Sequence, residues 1–150
     1  MHKQYELAER LAKRGERRGF GTLSMAEHIV VQIALGIQLI EWEGDFFYFF
    51  LCDRYADADA IAAALEIIGH PKAALIFRHA KRLNAVRDYV ELEVLSMALL
   101  GMTSCIRNCL VAYELKNGIR LSKHQTDTVK RGLNRGMPDR DGGFDNLAKF

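Results

Sequence analysis

The stretch from Ile29 to Ile40 constrains this chain more than any other. Ile29, Val30, Val31, Ile33, Leu35, Ile37, Leu39 and Ile40 follow one another with little polar interruption. Just ahead, Ser24-Met-Ala-Glu27 has the form of a capping box. In that motif the serine and the glutamate each satisfy a backbone donor left over at a helix start. The pattern predicts a helix from the serine to about Glu43 that is apolar nearly all round. A helix without a polar face must be covered on every side, so it belongs at the centre of a bundle.

The remaining segments read as the cover. Residues 3–18 pair an apolar stripe (Tyr5, Leu7, Ala8, Leu11, Ala12) with a basic face, and Gly19-Phe-Gly21 ends that helix. Gly44 breaks the central helix, and Asp45 is placed to cap a short one holding Phe46 to Leu51. Asp57-Ala-Asp59 opens another, with Ile61, Leu65 and Ile68 on one side and Gly69 as its stop. Pro71 suits a first helical position, and Ala73, Ile76, Phe77, Ala80 and Leu83 then follow helical spacing. Asp88-Tyr-Val-Glu91 signals one long helix reaching Lys116, with Gly101 as a point for a kink or for close packing. Ser122-Lys-His-Gln125 opens a basic helix to about Asn134, and from 136 the tail has turn chemistry and reads as irregular. With only two prolines and no repeat or linker, residues 1–150 read as one compact all-α domain of six or seven helices.

Composition narrows the function classes. At 150 residues the chain is long enough for one domain with a real core. A formal net charge of +2 excludes both a polyanion and a strongly basic nucleic-acid binder as descriptions of the whole molecule. Cys52, Cys105 and Cys109 include no Cys-x-x-Cys pair, so no disulfide framework is expected and a reducing cytoplasm is the predicted setting. The sequence from Met1 to Glu6 is polar and lacks the apolar segment of a signal peptide. The longest mostly apolar run, Val94 to Ile106, is shorter than the roughly 20 residues that span a bilayer.

Two surfaces carry candidate chemistry. The first is Glu41-Trp-Glu-Gly-Asp-Phe-Phe-Tyr-Phe-Phe50, with six aromatics and three acids. Within residues 41–66, seven acids face only Arg54. Aromatic side chains dominate interface hot spots, so Trp42, Glu43, Asp45, Tyr48, Asp53, Asp57 and Asp59 form a candidate protein-binding patch. The plainer expectation puts Phe46, Phe49 and Phe50 in the core, with Trp42 and Tyr48 at its edge. The second surface is basic. Residues 70–87 contain no acid, and Arg78, Lys81 and Arg82 there, with Lys130 and Arg131 from residues 120–135, would hold an anion such as nucleic-acid phosphate. The plainer expectation is two solvated helix faces, or contacts to the acidic block.

Metal and enzyme signals are thin. Cys105 and Cys109 share a helix face and would need His124 and a further ligand to close a zinc site, so no metal or cofactor is expected. His28, His70, His79 and His124 are available as acids or bases, and Glu41 and Asp45 lie four apart across Gly44. No Gly-x-Ser-x-Gly, phosphate-binding glycine loop or His-Glu-x-x-His appears, and no catalytic residue is assigned. A small enzyme of unrecognised class stays as the third reading.

From Glu43 to Leu83 the chain resembles the DNA mimic protein 19-like family of bacterial helical proteins, most without an assigned activity. That family carries an Asn-Gly-Gly-Phe motif, a Gln, two aromatics and an Asn, and then Ala-Leu-x-x-Ile-Gly-Ala. Glu43-Gly44-Asp45-Phe46 stands on the first motif, with Tyr48 on the Gln, Phe49 and Phe50 on the aromatics and Cys52 on the Asn. Ala64-Leu65-Glu66-Ile67-Ile68-Gly69-His70 stands on the second, and Ser24 to Glu27 resembles the family's upstream helix start. The resemblance implies an all-α fold and a bacterial source. Glu43, Asp45 and Tyr48 replace three polar positions, which implies either lost or changed binding or a turn with altered local bonding. The family's namesake imitates DNA with a strongly negative surface, a role that 21 Lys+Arg against 19 Asp+Glu does not support over this whole molecule. The expected role is a non-enzymatic protein-interaction module, with self-association into a homodimer suggested by the apolar excess.

Overall fold

A computed structural model describes residues 3–52 and 57–119. Within them the chain forms seven α-helices and no strand: α1 Lys3–Arg18, α2 Met25–Glu43, α3 Phe46–Leu51, α4 Ala58–Ile67, α5 Pro71–Ala85, α6 Tyr89–Leu100 and α7 Thr103–Lys116. A 3₁₀ turn, Phe20–Thr22, links α1 to α2. The expected helix after Ser122 and the tail from 136 lie outside the described residues.

The helix boundaries follow the caps. Ser24 Oγ accepts from Glu27 N–H at 3.1 Å while Glu27 Oε2 accepts from Ser24 N–H at 2.8 Å, closing the capping box at the start of α2. Asp45, Asp57 and Asp88 each accept from a backbone N–H three residues on. Gly44 ends α2 with a φ of 84°, a left-handed conformation that glycine reaches without a Cβ clash. The end of α4 is a Schellman motif: Gly69 N–H bonds Glu66 O and His70 N–H bonds Leu65 O. The same motif closes α5, but there Arg87 occupies the left-handed position, at φ 59°.

As the sequence requires, α2 is central. It contacts α1, α3, α4, α6 and α7, and buries Ile29, Val30, Val31, Ile33, Leu35, Ile37 and Ile40 among them. Gly36 lets α4 approach closely, since a Cβ there would meet Ile61 Cδ1 at 2.7 Å. The short α3 wedges against this helix. Phe46 and Phe49 are fully buried and meet Phe77 of α5 edge-on, with ring centroids at 5.1 and 5.6 Å. Such edge-to-face pairs add about 0.5–1.5 kcal/mol each beyond burial. Phe50 is half-buried beside them. Buried Ser96 locks α3 to α6: its hydroxyl accepts from Phe46 N–H at 2.8 Å and donates to Leu92 O at 2.9 Å.

One expectation is corrected. The run from Tyr89 to Lys116 is not a single helix but α6 and α7, bent by 54° between Leu100 and Thr103. Glycine is a poor helix former, and after Gly101 the chain tightens: Met102 N–H reaches back to Leu99 O at 2.8 Å, and Thr103 Oγ1 bonds Leu100 O at 3.0 Å. The bend lets α6 cover α3 and α5 while α7 lies along α2. Among the described residues, no single helix is long and apolar enough to cross a membrane.

Replacing Phe49 by Ala removes a fully buried ring shared by α2, α3 and α5. We expect chemical denaturation to report a loss on the order of 3 kcal/mol through the cavity left behind. Near-wild-type stability would contradict the wedge role of this ring.

Candidate functional site

Helical spacing decides which rings of α3 face outward. With Phe46 and Phe49 directed into the core, Phe47, Tyr48 and Leu51 point to solvent, and Trp42 on the last turn of α2 is 64% exposed. Phe47 is the link in this surface. Its ring lies edge-on to Tyr48 and to Tyr89 of α6, both at centroid distances of 5.4 Å. From Tyr89 the apolar surface continues along α6 through Val90, Val94 and Met97, all exposed. The α6 half was missed in the sequence, where the run from Val94 was weighed only against the length of a membrane span. The available signal was the dense apolar run from Leu92 to Leu100, interrupted only by Glu93 and Ser96.

The acids of the candidate patch divide by role. Glu43 is exposed at the end of α2. Asp45 caps α3 and Asp57 caps α4. Asp59 pairs with Lys81 of α5, and Glu66 pairs with Arg78 at 2.5 Å. The Arg78 hydrogen bond holds the Glu66 carboxyl below its ordinary range. Asp53 lies outside the described residues. The aromatic members of the patch are therefore freely presented, whereas three of its acids already serve caps or an ion pair.

The same pairs bear on the basic surface. Arg78 and Lys81 each reach an acid of α4, so part of the positive face of α5 is neutralised from within the fold. Exposed pairs of this kind add little stability, about 0–1 kcal/mol, but they cancel local charge. Arg82 is exposed on the same helix. Lys130 and Arg131 lie outside the described residues.

Other titratable groups have structural surroundings. His70 is buried, and its Nδ1 accepts from Ala73 N–H at 3.3 Å as the N-cap of α5. Burial lowers its pKa, and Lys72 adds to that. Glu41 and Asp45 do not form a carboxylate pair: Asp45 turns to its cap, and Glu41 accepts from Tyr5 Oη at 2.6 Å and pairs with Arg107. That triad joins α1, α2 and α7, and burial followed by the Glu41 hydrogen bond pushes the Tyr5 phenol well above its usual pKa. Cys105 and Cys109 are both free thiols on α7, and burial with the neighbouring Cys105 raises the pKa of Cys109. Among the described residues, no three His, Cys, Asp or Glu side chains gather to hold a metal, and His124 lies outside them. A groove of about 600 Å³ between α1, the start of α2 and the end of α7 is flanked by Arg10, Arg14 and Glu27. Arg14 and Glu27 pair across it at 2.6 Å.

Comparison with family models, with curated proteins and with solved structures finds no match to this chain.

The most unusual group is Glu114. It is fully buried on α7, and among the described residues neither carboxylate oxygen has a hydrogen-bond partner. Burial pushes its pKa from an ordinary 4.5 up to about 7. Below pH 4.5 the group is neutral in both folded and unfolded chains. As pH rises towards 7 only the unfolded chain releases the proton, so stability falls across this window. The full penalty is present above about 7 and amounts to about 3 kcal/mol. Glu114→Gln is expected to flatten the fall in thermal stability between pH 5 and about 8. An unchanged pH profile in that variant would show that Glu114 is solvated.

Proposed function

We propose that this chain is a non-enzymatic protein-interaction module whose binding surface is the exposed aromatic edge formed by Trp42, Tyr48 and Phe47. The observation that carries this reading is the outward display of these rings on a rigid base. Trp42 lies on the last turn of the central helix, and α3 is fixed by Asp45, by Ser96 and by two buried phenylalanines. Large aromatic anchors held in place lose little conformational freedom on binding, which is why they dominate hot spots. Glu43 adds negative charge beside Trp42 and favours a partner with a basic rim. The pairing of Arg78 and Lys81 with α4 acids weighs against the anion-binding alternative.

We place the chain, on its motifs, near the DNA mimic protein 19-like family and in a bacterial cytoplasm. Both motif glycines support the reading in which the motif shapes turns, since Gly44 and Gly69 each take a left-handed conformation at a helix end. Asp45 at the altered second-glycine position caps the helix that follows.

The test is affinity capture from a bacterial lysate by wild-type protein and by Trp42→Ala and Tyr48→Ala, with and without nuclease. We expect a protein retained by the wild type, unaffected by nuclease and reduced at least tenfold by either substitution, the loss of about 1.4 kcal/mol that a hot-spot ring exceeds. Retention that disappears with nuclease, or that depends on Arg82 and not on Trp42, would overturn the proposal.

A further inference from the structure

We infer that the outer face of α6 is a homodimer interface, in which α6 packs antiparallel against α6 of a second copy. The inference rests on the reading of the α3–α6 surface as protein-binding, and it names the occupant of its α6 half.

Three observations converge. The first is spacing. Only Leu92, Ser96 and Leu99 of α6 are buried in the fold. On the opposite side Val90 (74% exposed), Val94 (54%) and Met97 (69%) recur at steps of four and three residues, and Gly101 continues the series. That is the spacing of a seam between two helices. The second is extent. With Val86, Tyr89 and Phe47 added, aromatic side chains taken at roughly 150–250 Å² and the smaller Val and Met side chains at the bottom of that range, the exposed apolar surface is on the order of 500 Å², less than the roughly 800 Å² that each partner gives to a standard interface and in the range of a weaker one. That is near the top of the range of apolar patches on monomeric proteins, where such patches are often functional.

The third observation selects a second copy, and its direction. The seam carries no charge, so it is complementary to itself, as a two-fold interface must be. The charges beside it are Arg87 and Asp88 in the turn before the helix and Glu91 and Glu93 on it, all exposed and all towards its N-terminal end. Parallel pairing would bring these acids against their own copies. Antiparallel pairing sets them beside the uncharged C-terminal half, near Ala98, and opposes the two helix dipoles. In that register Val94 meets Met97 of the second copy, and Val90 meets Gly101, where the missing side chain allows close approach.

Light scattering on size-separated full-length protein tests this. We expect wild type at twice the monomer mass, and Val94→Glu as a monomer with unchanged circular dichroism, its dissociation constant raised at least a hundredfold. Leu75→Glu, an exposed change on α5, should remain dimeric. If Val94→Glu loses helix, Met97→Lys on the exposed seam gives the same reading. Dimer affinity should change little with salt, and a steep gain with salt would overturn the antiparallel arrangement by revealing facing acids. A wild-type monomer at the highest soluble concentration, or a dimer that survives both seam variants, would overturn the interface. A monomer that still captures a protein through Trp42 would fail this inference and leave the binding module standing. A monomer that instead sediments with phosphatidylcholine vesicles would show that lipid covers the face, and would overturn both.

Discussion

Everything in this fold answers to the need to cover α2 from all sides. An isoleucine- and valine-rich helix with almost no polar face cannot lie at a surface, and the hydrophobic effect rewards each neighbour in proportion to the area it covers. Five helices share the task. No straight antiparallel hairpin would place them all, so the chain turns sharply where glycine allows it. Gly44 sends α3 back across the end of α2, and the bend at Gly101 and Met102 divides one apolar run into a helix on α3 and α5 and a helix on α2. Gly36 removes a side chain where α4 comes closest.

Much of this was legible because caps and periodicity are local. Ser24 with Glu27, Asp45, Asp57, Gly69 and Asp88 each mark a boundary through a bond made within a few residues, Pro71 marks one through its fixed φ, and each boundary lies where those residues put it. The split of α6 from α7 was less legible, because one glycine in a helix-favouring run marks a weak point without fixing its angle. The pairing of α4 acids with α5 bases is tertiary: Glu66 and Arg78 are twelve residues apart, and only the crossing of two helices decides that they meet. Glu114 gave no local signal, since a glutamate near the end of a helix ordinarily faces water.

The surface follows from the same economy. Three acids that looked like part of a binding cluster in the sequence, Asp45, Asp57 and Asp59, serve helix caps or a cross-helix pair, and the rings among them are split by helical geometry into core and surface. Phe46 and Phe49 belong to the interior, while Trp42, Phe47 and Tyr48 are exposed to solvent. The polar groups that remain inside are few. Tyr5, Glu41 and Arg107 satisfy one another between α1, α2 and α7, which ties the outer helices to the central one at a defined register. Glu114 has no such company, and its burial is a local weakness in α7 that grows as the medium becomes more basic.

The central position of α2 is tested most directly by native-state hydrogen exchange. Amides from Ile33 to Ile40 should exchange only through global unfolding, with an opening free energy equal to that of denaturant-induced unfolding. Exchange of these amides by a lower-energy local opening, while another helix keeps full protection, would contradict the account.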